Sequence, residues 1–275
     1  ELGSCRGMAL DPDGTLWFST RQGLARLQGD EVELWPDAGW PSHVTRAILR
    51  DLDGGHWLAG GGGLAHLAGR DLTVPPVVAA LREDPLRSLA LAPDGALWIG
   101  GARLLARLDP ARTNLRLWRS GDELPHGEVR VILPEHGERA WIATYGGGLV
   151  RVEGEHTFAV DERHGLDDQS LCAVLELGDG LVLASNSGFS LVARDALAQV
   201  AAGRAAPLVS RPLRTEGVRA VECEGGVQPC AAEVDGTLWF CGIDGLHAFE
   251  PAHATALTCE LPVKLRAVFL GDTRW

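Results

Sequence analysis

Six copies of a unit of about forty residues, one tryptophan register running through them, and Asp-Gly or Gly-Gly turns at fixed offsets predict an all-β fold: a β-propeller of four-stranded antiparallel blades. The copies read CRGMALDPDGTLWFSTRQGLARL (5–27), TRAILRDLDGGHWLAGGGGLAHL (45–67), LRSLALAPDGALWIGGARLLARL (86–108), VRVILPEHGERAWIATYGGGLVRV (129–152), LCAVLELGDGLVLASNSGFSLVA (171–193) and PCAAEVDGTLWFCGIDGLHAF (229–249). Trp17, Trp57, Trp98, Trp141, Leu183 and Trp239 set the register, at spacings of 40, 41, 43, 42 and 56. The long last interval brackets an insertion around 194–227. Six visible copies suit a six-bladed ring or six blades of a seven-bladed one.

The second copy shows how each unit divides. Ala47-Ile48-Leu49 is the innermost strand, and Asp53-Gly54 turns the chain, since Asp-Gly favours tight hairpins. Trp57-Leu58-Ala59 is the second strand, the Gly60–Gly63 run turns again, and Leu64–Leu67 is the third. A weaker fourth strand is expected at Thr73–Val78. Helical repeats would need apolar residues at a 3.6-residue period, which the glycine turns interrupt. One short helix is expected, Arg194–Ala201 in the insertion. A Trp at one register in every blade packs between neighbouring sheets rather than stacking on a sugar. None of the glycine runs has a nucleotide-binding pattern followed by a helix.

Composition agrees with short strands and many turns: 35 Gly and 9 Trp, against one Tyr and one Met. The formal net charge of −12 argues against nucleic acid or an anionic membrane surface as partner. Cysteines stand at 5, 172, 223, 230, 241 and 259 with no CxxC pair, so spacing gives no metal or redox motif. Cys223 and Cys230 are the nearest pair that could bridge, and small buried thiols are the alternative. No apolar run reaches the roughly 18 residues of a membrane span, and no signal peptide opens the chain. Both ends read as cut from something longer.

The pattern D-x-D-G-x-L-W-[FI]-x-[TG]-x-x-G-L-x-R resembles the two-component regulator propeller repeat. Asp11-Pro12-Asp13-Gly14-Thr15-Leu16-Trp17-Phe18-Ser19-Thr20, Gly23-Leu24-Ala25-Arg26 and Asp235-Gly236-Thr237-Leu238-Trp239-Phe240 match it closely. Residues 216–251 resemble the closing blade of such sensors, and Leu261–Val268 resembles the proline-containing link into an immunoglobulin-like three-tyrosine domain. The resemblance therefore implies a propeller sensor domain over 1–251 and, over 252–275, a link and first strand of that next domain. Glu224 stands where the family usually has Asn, and the fifth copy has lost its Trp. What the resemblance implies is a periplasmic sensory module. In the full-length protein it would be anchored in the inner membrane and joined to a histidine kinase or diguanylate cyclase output that this chain does not contain.

Propellers take small partners at the mouth of the central channel, beside the starts of the innermost strands. Aligning those starts gives Arg6, Arg46, Arg87, Arg130, Cys172 and Gln228. In a radial fold one sequence column becomes a ring, so four guanidinium groups are expected near the axis. Either protein carboxylates neutralise them, from among Glu83, Asp84, Glu128, Asp167, Asp168, Glu222 and Glu224, or a bound anion does. Arginine suits a two-pronged grip on carboxylate, sulfate or phosphate. Trp40, His43, His126, Gln169 and Gln228 are the loop residues expected to complete a pocket for a small, anionic or carbohydrate ligand. No metal and no cofactor is expected. Two other functions compete. A propeller lyase similar to the streptogramin lyases would need a general base, for which His43 and His126 are placed, but no HxH or HExxH pair and no Ser-His-Asp spacing occurs. A scaffold would use a flat propeller face for protein contact, a homodimer included.

Overall fold

The computed structural model describes residues 4–35, 45–204, 210–213 and 222–250, with two short strands at 269–270 and 273–274. It is a β-propeller of six blades. Blade one holds β1 (Met8–Leu10), β2 (Leu16–Thr20), β3 (Gly23–Gln28) and β4 (Glu31–Trp35). Blade two holds β5 (Thr45–Arg50), β6 (His56–Gly60), β7 (Gly63–Ala68) and β8 (Asp71–Thr73). Blade three is β9 (Leu86–Leu91) to β12 (Leu115–Arg119), with β10 (Leu97–Gly101) and β11 (Leu104–Leu108) between. Blade four is β13 (Glu128–Pro134), β14 (Arg139–Tyr145), β15 (Gly148–Glu153) and β16 (His156–Val160). Blade five is β17 (Leu171–Leu177), β18 (Gly180–Ser185), β19 (Gly188–Ala193) and β20 (Arg211–Leu213). Blade six has β21 (Ala231–Val234), β22 (Thr237–Gly242) and β23 (Gly245–Phe249) among the described residues. Each sheet is an antiparallel meander, the first strand innermost.

The hairpin chemistry is as expected. Gly54 turns with φ +89°, a conformation open to glycine without strain. The expected helix is present at Arg194–Ala201, with Leu197 and Val200 buried. The fourth strand of blade two is shorter than expected: it is Asp71–Thr73, and Val77 and Val78 lie instead in a 3-10 turn over Pro76–Leu81. Pro75 and Pro76 supply no N–H for a ladder, so the strand stops before them.

Trp17, Trp57, Trp98 and Trp141 are buried between blades, as the repeat requires. Trp98, for example, packs against Val129, Ile132 and Ile142 of the following blade. The fifth copy corrects the register. The hydroxyl of Thr20, Thr144 and Ser185 each bonds the carbonyl three or four residues on, at Gly23, Gly148 and Gly188, which aligns the three turns. Counting back from Ser185 puts Val182, not Leu183, at the tryptophan position. Val182 accordingly joins the core shared with blade six, whereas Leu183 packs with Trp141 of blade four. The short Gly178-Asp179 turn between Leu177 and Gly180 hides this one-residue offset.

The sixth blade departs in another way. Trp239 is 37 % exposed, and its face also presents Val234 and Leu246. The facing side of blade one presents Met8, Leu10, Val32 and Leu34, also exposed. Blades six and one are joined at their inner ends, where the Gln228 N–H donates to the Arg6 carbonyl (3.1 Å) and the Met8 N–H to the Gln228 carbonyl (2.9 Å). The segment expected to link to a next domain, 252–275, lies outside the described residues except for its two short strands.

Candidate functional site: a guanidinium ring at the channel mouth

Three arginines share one backbone device. In blades two, three and four the innermost strand shifts register against its neighbour between Thr45 and Ala47, between Leu86 and Ser88 (at Gly100/Gly101 on the partner), and between Val129 and Val131. The extra residue in each bulge is Arg46, Arg87 or Arg130. A bulge re-aims the side chain it carries, here away from the packed sheet faces. Cys172 is the extra residue in blade five. Arg6 holds the same place in blade one, just before Gly7, whose carbonyl accepts the Ser19 N–H. In blade six the corresponding carbonyl is that of Cys230, bonded by Cys241 N–H, so the column position is Pro229 and Gln228 stands one residue earlier.

The bulges bring the guanidinium groups together. Burial, then the charges of Arg87 and Arg6, and also that of Arg130, push Arg46 below the ordinary arginine range, and the Glu128 carboxylate opposes them. Glu128 is shared: its Oε1 accepts from Arg87 Nη2 at 3.0 Å and its Oε2 lies 2.8 Å from Arg130 Nη2. Arg130 also donates to the Gly225 carbonyl (2.7 Å) and lies over the Tyr145 ring, 5.0 Å from its centroid. Tyr145 Oη accepts from Asn186 Nδ2 at 3.1 Å. Among the described residues, Arg46 has no carboxylate or hydrogen-bond partner at bonding distance. Among the described residues, Glu128 is the one carboxylate at bonding distance of this group, and Arg87 and Arg130 share it. Glu222, Glu224 and Asp168 act on Cys172 from the side of blades five and six.

Gln228 does something the sequence did not disclose. Its side-chain oxygen accepts the Leu89 N–H (2.9 Å) and its nitrogen donates to the Leu89 carbonyl (2.6 Å). Leu89 is on the innermost strand of blade three, so the amide crosses the channel and pairs a free strand edge. Beside it lies a cavity of about 90 Å³ lined by Arg130, Val131, Val174 and Gln228.

The other expected residues fall as follows. Gln169 is placed by its carbonyl, which accepts the Gly146 (3.1 Å) and Gly148 (2.9 Å) N–H groups of the blade-four turn. His126 is exposed, and its ring is folded against Gly121 in its own loop. Trp40 and His43 lie outside the described residues. Of the expected neutralising acids, Glu128 serves the ring, whereas Asp84 is held by Arg103 at 3.2 Å, outside it. Tyr145 is the residue sequence reading missed; its being the single tyrosine, at an inter-strand turn, was the available signal. Cys172, Cys223 and Cys230 are free thiols, so the candidate Cys223–Cys230 bridge is absent. Burial pushes Cys172 up to about 11 and Cys223 and Cys230 up to about 12, far from thiolate chemistry at neutral pH.

No protein-family model and no curated protein matches the sequence. Solved structures do match in fold. One is the extracellular domain of BT3049 from B. thetaiotaomicron, designated a hybrid two component system, with TM-score 0.66 and 13% identity over 92% of this chain and 34% of that one. A second, the extracellular domain of BT4673 from the same organism, designated a one component system, gives TM-score 0.52 and 21% identity over 92% of this chain and 37% of that one. Virginiamycin B lyase from Staphylococcus aureus gives TM-score 0.62 and 9% identity over 90% of this chain and 85% of that one. The chain spans about a third of the length of the two extracellular domains. At these identities the likeness is one of fold. No helix among the described residues is long and apolar enough to cross a membrane.

Proposed function

We propose that this chain is the extracytoplasmic sensing module of a bacterial signal-transduction receptor and takes a small anionic ligand, such as an acidic sugar, at the guanidinium ring. Arg46 carries the reading: it is half-buried, lies among three other guanidinium groups, and has no carboxylate of its own among the described residues. Crowded cations in a partly dry mouth are stabilised by an anion that can accept from several forks at once. Tyr145 offers a ring face and a hydroxyl beside Arg130, which suits a sugar ring bearing a carboxylate. Likeness in fold to the extracellular domains of two such signalling systems supports the sensory role and an extracytoplasmic location; a membrane-anchored output partner is part of the proposal.

The test is a thermal-shift panel of uronic acids, their oligomers and sulfate against the wild-type chain and Arg46→Ala. A ligand that binds the native state raises its melting temperature with concentration. The reading expects a rise with at least one anion and its loss in Arg46→Ala. Equal shifts in both proteins, or none in either, would remove the ring as the site.

A further inference from the structure

The opposite face of the propeller carries a second cluster, and the repeat itself shows why it is unusual. The third-strand residue paired with the register tryptophan is Arg26, Arg107 and Arg151 in blades one, three and four. Each guanidinium lies over its tryptophan, at 6.0, 5.9 and 4.8 Å. Each also meets a carboxylate: Glu33 at 2.8 Å, Asp94 at 2.5 Å and Glu135 at 2.8 Å. In blade two the same position is His66, paired with Trp57. The cation that meets an acid in these three blades is replaced by an imidazole in blade two.

That imidazole points its Nε2 at two carboxylates. Asp51 Oδ2 lies 3.4 Å away and Asp53 Oδ1 3.7 Å away. Nε2 is buried and has no hydrogen-bond partner. One donor atom from each of the three residues lies within 4.8 Å of the others. Ligands about 2.0–2.1 Å from a tetrahedral zinc ion sit roughly 3.3–3.5 Å from one another, so modest closure of Asp53 completes the spacing. The carboxylates are already oriented. Trp57 Nε1 donates to Asp51 Oδ2 (2.7 Å), Arg112 Nη2 to Asp51 Oδ1 (2.9 Å), and the Gly55 N–H to Asp53 Oδ1 (2.8 Å). Such outer bonds fix ligating groups in metal sites. A Cβ on Gly55 would lie 2.8 Å from Nε2, so a glycine is needed for the ring to sit there. The cluster lines a cleft of about 440 Å³ that Thr73, Asp94 and Arg112 share, leaving room for water or a further ligand.

We propose that Asp51, Asp53 and His66 form a binding site for a divalent transition-metal ion of the zinc class. Imidazole with two carboxylates suits that class, whereas magnesium and calcium favour all-oxygen sets. With Arg112 counted against the two acids, the site carries one net negative charge before the ion enters.

The test is a titration of the chelator-treated chain with zinc by calorimetry, and with cobalt(II) by visible absorption. His66→Arg installs the residue that three other blades carry, so the hairpin keeps a compatible side chain. Asp53→Asn keeps the acceptor for Gly55 N–H but removes a charge. The expected result is one zinc equivalent, a tetrahedral cobalt spectrum, and at least a ten-fold weaker affinity in both variants. Absence of binding, or unchanged affinity in either folded variant, would overturn the site; the histidines elsewhere in the chain would then account for any zinc taken up.

Discussion

The Gln228 side chain pairs with both backbone groups of Leu89, 139 residues away in sequence and on another blade. It acts as a one-residue strand against the free inner edge of blade three. Removing it leaves a donor and an acceptor unpaired in a narrow channel. Gln228→Ala should cost about 1–3 kcal/mol, the desolvation penalty of stranded polar groups. A denaturant titration reads this directly, and an unchanged midpoint would mean that water replaces the amide without loss.

Glu128 is the shared counter-charge of Arg87 and Arg130, and Arg46 has no carboxylate at bonding distance among the described residues. The two residues should therefore respond in opposite directions. Glu128→Gln leaves two partly buried guanidinium groups without their carboxylate and should destabilise the fold by about 1–3 kcal/mol. Sulfate should restore part of that loss by occupying the vacated position. Arg46→Ala removes mutual repulsion and should leave the melting temperature unchanged or higher. A large drop in Arg46→Ala would show that the arginine serves packing.

The fold was legible because one unit recurs, and each copy checks the others. Errors arose where a copy departs from its siblings. Counting from Asp179 puts Leu183 in the tryptophan column because Asp179 is the second residue of its two-residue turn, whereas Asp235 is the first of the equally short turn in blade six, and the Ser185–Gly188 bond reveals the offset. Gln228 was placed in the arginine column for a similar reason, although Pro229 occupies that position. The arginine column itself was readable, but its cause was not: a bulge is a property of pairing, invisible until the partner strand is known. His66 was passed over because its ligand partners lie 13 and 15 residues earlier across a hairpin, with no spacing motif.

Glu135 gives the stability a defined acid dependence. Burial alone would raise its carboxyl, but hydrogen bonds and charges from Arg151 and Arg194 outweigh this and hold it below the usual carboxylate range. The folded value is thus lower than the unfolded one. The stabilisation is full above the ordinary glutamate value, about 4.3, and is lost as pH falls through the depressed folded value. Glu135→Gln should accordingly be less stable than wild type at about pH 7, and the difference should shrink at strongly acid pH. Urea midpoints at both ends of that range check it; a gap independent of pH would point to packing instead.

Trp98 and Trp239 occupy the same register in blades whose surroundings differ. Trp98 is fully buried and stacks on Trp118, with centroids 5.4 Å apart and planes at 13°. Trp98→Ala should cost about 3–5 kcal/mol, as large-to-small changes in a packed core do. Trp239 is 37 % exposed on the face of blade six that blade one leaves open, so fewer contacts are lost with it. Trp239→Ala should cost well under half as much, because both the transfer and the cavity contributions scale with burial. Matched thermal melts of the two variants read the difference. Equal losses would mean that the seam between blades six and one is packed in solution, closing the ring along its whole radius.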